Sequence, residues 1–139
     1  MRSAIVGGHA VALHGAVRGT VDIDLAIAWN RKTLLATEKA LHKVGLVSRL
    51  PLTADGIFDF RKEYIENRNL IEWNFYNPNE LSEQVDIVIT YDLKGKRTKR
   101  IQLRNGPVQI LDLKELIKMK RNSARAQDIE DVLALERLL

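Results

Sequence analysis

A chain of 139 residues with 45% apolar and 29% charged side chains has the composition of a globular domain long enough to bury its own core. It holds no cysteine, which excludes disulfides and thiolate metal sites and fits a cytoplasmic protein. No apolar run approaches the roughly 18 residues of a membrane span, no secretory signal opens the chain, and the net charge of +4 suits a phosphate-rich partner as well as an ordinary surface.

In chain order, the apolar run at 3–6 predicts a strand that stops at the pair Gly7-Gly8. Residues 8–13 then read as a short helix whose small Ala10 and Ala12 would sit close against a sheet. His9 and His14 flank it; with three histidines in all and no close ligand spacing, no zinc site is expected. After a second break at 15–19 comes a strand over 22–29. Its Asp22 and Asp24 project from one face with their backbones roughly 6.5–7 Å apart, while Ile23, Leu25 and Ile27 take the other. A lone Asp-x-Asp is usually an exposed strand start. One short helix after a glycine pair, it is the strongest signal of chemistry in the chain.

Asn30 is placed to cap a helix running to about residue 43, with Leu34, Leu35, Leu41 and Val44 for its apolar face and Gly45 to stop it. Pro51 and Asp55-Gly56 mark turns, and 58–65 reads equally as a short helix or an irregular strand. Residues 70–76 alternate as a strand, ended by Asn77-Pro78-Asn79, with Trp73, Phe75 and Tyr76 assigned to the core. The strand at 84–90 sets Val85, Ile87 and Ile89 against Asp86, Val88 and Thr90. A carboxylate inside such a strand is costly unless something satisfies it, and a metal shared with Asp22 and Asp24 on a neighbouring strand would do so. Glu72 and Glu83 are the rivals for that role.

Residues 94–100 carry five basic side chains around Gly95 and predict a hairpin loop, either solvated or touching phosphate. Strands at 101–103 and 108–111 follow, separated by Asn105-Gly106-Pro107. Asp112 caps a helix burying Leu113, Leu116, Ile117 and Met119. A terminal helix from about 124 has Ile129, Val132, Leu133, Leu135 and Leu138 as its apolar set. With no repeat and no low-complexity tract, residues 1–139 read as a single domain.

The order Gly7-Gly8, Arg18, Thr20, Asp22-x-Asp24 resembles the DNA polymerase β-like nucleotidyltransferase superfamily, and more narrowly its small prokaryotic AbiEii-type and toxin–antitoxin members. The resemblance implies an α/β (α+β) nucleotidyltransferase fold, with a mixed twisted β-sheet, helices packed mainly on one face, and C-terminal helices. It implies Asp22, Asp24 and Asp86 as catalytic residues binding Mg2+ (or Mn2+). The nucleoside triphosphate would be held by Gly7, Gly8, His9, Arg18, Thr20, Lys120 and Arg125. Lys120, Arg125, Asp128 and Asp131 match a C-terminal Lys–Arg–Asp series in such proteins, although Asp131 suits an ordinary salt-bridged helix. Glycines let the backbone approach a phosphate, and a following helix N-terminus attracts it.

The implied reaction passes a nucleoside monophosphate from the triphosphate to a hydroxyl on a tRNA end, a protein or a small molecule. A toxin–antitoxin or phage-defence setting, with a cognate toxin or antitoxin partner, goes with that branch. Two departures stand out: relatives usually carry a helix ahead of the first strand, and Gly8-His9 stands where small antitoxin relatives have serine after the first glycine. Gly-Gly occurs in the antibiotic-modifying and abortive-infection branches. The alternatives are a catalytically silent binding module that holds a toxin, and a basic nucleic-acid-binding domain using the loop at 94–100.

Overall fold

Local capping chemistry sets the helices where their sequences ask for them. In the computed structural model, which describes residues 2–7, 10, 23–103, 106–123 and 126–139, Asn30 Oδ1 accepts from the Thr33 amide (2.8 Å) and starts α1 (Arg31–Lys43). Gly45, at φ +92°, follows its end. Thr53 Oγ1 accepts from the Gly56 amide (3.1 Å) and starts α2 (Ala54–Asp59). Asp55-Gly56 therefore lies inside a helix, not in the expected turn, because the Thr53 cap outweighs the weak helix preference of glycine. A second short helix, α3 (Arg61–Arg68), follows directly and ends at left-handed Asn69. Asp112 opens α4 (Leu113–Ser123) as expected, its carbonyl accepting from Leu116 N (2.8 Å), and α5 (Ala126–Glu136) completes the described helices.

The strands are β1 (Ser3–Val6), β2 (Ile23–Ile27), β3 (Val47–Ser48), β4 (Glu72–Asn77), β5 (Glu80–Asp92), β6 (Thr98–Leu103) and β7 (Gly106–Leu111). They form one mixed sheet in the order β3-β4-β5-β2-β1-β7-β6. The β1/β7 and β2/β5 pairs are parallel and the rest antiparallel. β5 starts before residue 84 and β6 before residue 101, because each completes a hairpin ladder with its neighbour. Thr98, Lys99 and Arg100 of the basic run are thus strand rather than loop.

Alternation divides the core in two. Ile27, Trp73, Phe75, Ile87 and Ile89 face Leu34 and Leu41 of α1 and Ala54 and Ile57 of α2, with Tyr64 and Ile65 of α3 packed alongside. Ala4, Val6, Ala26 and Val88 pack instead with Leu116, Ile117, Val132 and Leu135 of α4 and α5, and Ala10 joins them. Of the described helices, three lie on one face and two on the other. The aromatic pair Trp73–Phe75 is fully buried core, as expected. Ile129, Leu133 and Leu138 of the expected apolar set are exposed. The inward stripe of α5 runs through 128, 131, 132 and 135 instead, and two of those positions are aspartates.

Candidate active site

The parallel pairing of β2 with β5 sets Asp24 directly opposite Asp86, and the antiparallel pairing of β5 with β4 sets Asp86 opposite Asn74. These residues and Glu72 occupy the even positions, so they share the face on which α4 and α5 pack. Carboxylate oxygens of Asp24, Glu72 and Asp86 all lie within 4.8 Å of one another. An all-oxygen donor set suits a hard divalent cation such as Mg2+.

The chain leaves β1 at Gly7, whose φ of +67° disfavours any residue with a side chain. A Cβ built there would stand 2.0 Å from Asp24 Oδ2. Glycine is required twice over: for the turn and for the space that the carboxylate fills. Gly7 and Asp24 open onto a cleft of about 680 Å³, continued by Glu72, Val88, Thr90 and Tyr91 on the sheet side and Met119, Lys120 and Asn122 on α4. The Tyr91 phenol is pushed up to about 12, first by burial and then by the charge of Glu115, so it stays a proton donor through the neutral range.

Lys120 is almost wholly buried at the edge of this cleft. Its ammonium donates to Asp128 Oδ1 (3.1 Å) and stands 3.2 Å from Asp131 Oδ2, a contact of charge rather than of hydrogen-bond direction. The expected triphosphate lysine thus lines the cleft already held by two aspartates, one of which is the residue assigned to an ordinary salt bridge. Gly8, His9, Arg18, Thr20, Asp22 and Arg125 lie outside the described residues.

Two site residues carry a signal that alternation alone contains. Glu72 and Asn74 are the polar even positions in the run Glu72-Trp73-Asn74-Phe75, whose odd positions are core. Glu72, only a rival in the sequence, lies with Asp24 and Asp86. Asn74 Nδ2 donates to Asp86 Oδ1 (2.7 Å) and to Gln84 Oε1 (3.3 Å), while its own Oδ1 accepts from Arg49 Nε (2.8 Å). The remaining rival, Glu83, accepts from Asn77 on the exposed part of the β4–β5 hairpin (2.9 Å).

No family model and no curated protein matches the chain. Among solved structures, it is similar to the lincosamide antibiotic adenylyltransferase LnuA in its lincomycin-bound form, at a TM-score of 0.60 over 99% of this chain and 87% of that one. It is also similar to an antigenic nucleotidyltransferase-like protein from Paracoccidioides brasiliensis, at a TM-score of 0.58 over 99% of this chain and 68% of that one. The fold is the nucleotidyltransferase fold. At 11% and 16% identity it is the backbone that is shared. Within that nucleotidyltransferase fold, the described carboxylates sit on adjacent strands beside the glycine turn. No described helix is long and apolar enough to cross a membrane.

Proposed function

We propose that the chain is a metal-dependent nucleotidyltransferase that moves a nucleoside monophosphate from a nucleoside triphosphate to a hydroxyl acceptor. One arrangement carries the reading: a positive-φ glycine packed against Asp24, with Glu72 beside them in the cleft lining and a carboxylate oxygen of Asp86 within 4.8 Å of those of both acids. The backbone at Gly7 and Gly8, with the residues after it, would receive the triphosphate, as glycine turns leading into helices do. Arg18, Thr20 and Arg125 are the positions proposed to add contacts to it. Asp24 and Asp86, with Asp22 and Glu72, would hold Mg2+ or Mn2+, which supplies neutralisation of the phosphate oxygens.

The acceptor oxygen forms a bond to the α-phosphorus, and the bond from that phosphorus to the oxygen bridging the β-phosphate breaks. Pyrophosphate leaves with the bonding electrons. The hydroxyl proton passes to a carboxylate of the site or to water. Asp86, which accepts from Asn74 (2.7 Å), or Glu72 would receive it.

The test is transfer from α-labelled nucleoside triphosphates, with magnesium or manganese, to tRNA and cell-extract protein. Label on an acceptor that disappears in Asp24→Asn and in Asp86→Asn is the expected result. Wild-type chain that binds no triphosphate in either metal overturns the reading and leaves the fold as a binding scaffold.

A further inference from the structure

Arg49 stands just past β3 on the sheet face that carries Asp86, outside the cleft. Its side chain is exposed. It is nonetheless fixed in two ways. Its Nε donates to Asn74 Oδ1 (2.8 Å), and its guanidinium lies over the Tyr76 ring at 4.4 Å. Those contacts use one donor and one face of the group. Among the described residues nothing accepts from its two terminal nitrogens, which together form the fork that matches an oxyanion.

The sheet order separates this fork from the phosphate end of the cleft. Gly7 ends β1 and Arg49 follows β3, with β2, β5 and β4 between them. Four strand spacings amount to roughly 19 Å, beyond the reach of an arginine toward a triphosphate seated at Gly7. Asp86 lies between the two, one carboxamide away from Arg49 through Asn74. An acceptor that carries a hydroxyl and a phosphate ester on one sugar would set the ester on the Arg49 side of Asp86.

We propose that Arg49 binds a phosphate ester on the acceptor, next to the hydroxyl that receives the nucleotide. This rests on the nucleotidyltransferase reading for which group is the acceptor, but not for the anion site itself. The Tyr76 ring holds the guanidinium plane, and Asn74 aims it. The fork is therefore largely pre-organised and loses little freedom when it takes the phosphate. The same Asn74 ties the bound anion to the orientation of Asp86. The acceptor class is a nucleic-acid terminus or a phosphorylated small sugar, both of which present that chemistry.

The test is binding to the full chain, followed by NMR at the Arg49 Nε–H resonance (assigned with Arg49→Lys) and by calorimetry. The probes are the dinucleoside monophosphate UpU, its neutral methylphosphonate analogue, and ribose 5-phosphate beside ribose. Each charged probe is compared with its neutral counterpart within each variant. The expected preference for charge is on the order of tenfold in wild type, falling to near one in Arg49→Ala and to an intermediate value in Arg49→Lys. UpU preferred over ribose 5-phosphate identifies a nucleic-acid end, and the reverse a small phosphosugar. Equal binding of charged and neutral probes by wild type overturns the proposal. So does a loss in Arg49→Ala that falls equally on both members of each pair, which is what a purely structural arginine would give. Because the readout needs neither turnover nor triphosphate, charge-selective binding in a chain that binds no triphosphate would overturn the enzyme reading and leave this site standing.

Discussion

The two faces of the central strands obey the same alternation and put it to opposite uses. On β4 and β5 the odd positions, Trp73, Phe75, Ile87 and Ile89, are fully buried against α1 and α2. The even positions between them, Glu72, Asn74 and Asp86, point to the side where α4 and α5 leave a cleft. One face is dry and closed by helices, so its residues answer to volume. The other is only partly covered, so its polar residues are satisfied by one another and by whatever enters. A single strand therefore carries the closed core on one side and the candidate site on the other, one residue apart.

Neighbouring substitutions on β4 break that comparison most sharply. Phe75→Ala should cost about 3–5 kcal/mol in urea unfolding, as large-to-small changes in a closed core do. Asn74→Ala, one residue away, should cost about 1 kcal/mol and fall mainly on divalent-metal affinity, since it removes hydrogen bonds to Asp86 and Arg49 rather than packing. Equal stability losses for the two would mean that the faces are not separable.

Lys120→Met tests the buried charge under the cleft. Removing the ammonium leaves Asp128 and Asp131 buried without it, a loss on the order of 3–5 kcal/mol in thermal or urea unfolding. Replacing all three with apolar residues should recover most of that loss, and failure to recover would show that the triad also fixes how α4 meets α5.

Gly7→Ala should cost about 2 kcal/mol of nucleotide binding, roughly thirtyfold in Kd by filter binding or calorimetry. The new methyl meets Asp24 Oδ2 and the backbone is strained at φ +67°. Unchanged affinity would detach the glycine turn from the site.

The smallest expected effect lies at the far end of β5. Burial pushes the Asp92 carboxyl up, but the amides of Trp29 (2.9 Å) and Lys94 (3.0 Å) and the charges of Arg61 and Lys94 outweigh it and hold the group below its usual 3.8. A depressed carboxyl contributes stability above 3.8 that is lost as pH falls through the lower folded value. Asp92→Asn should therefore cost at most about 1 kcal/mol at neutral pH after solvent screening. The two unfolding curves should converge in acid, and a gap that persists there would assign the effect to packing.

Much of this was open to a reader of the sequence. Gly7 before a carboxylate strand, the acidic position inside the apolar alternation of β5, and the Asn30 and Asp112 caps are local patterns, and local physics fixes them. Glu72 and Asn74 were legible as polar positions but not as site residues, because only the β4–β5 register puts them beside Asp86. Lys120 was legible as a cation near the site. That two aspartates from α5 hold its ammonium depends on a helix–helix contact that spacing within one helix cannot report.

The sequence by itself determined most of the strands and the capped helices, the alternation that sets Glu72, Asn74 and Asp86 on one face against buried odd positions on the other, and a glycine break after the first strand. Those follow from periods of two and 3.6 residues and from steric limits on single backbones. Only the tertiary structure decided which carboxylates meet, that Asp24 fills the space beside Gly7, that α5 turns its aspartates inward, and that Arg49 reaches Asp86 through Asn74. Such contacts arise from strand order and register, which join residues far apart in the chain through energies that no local pattern encodes.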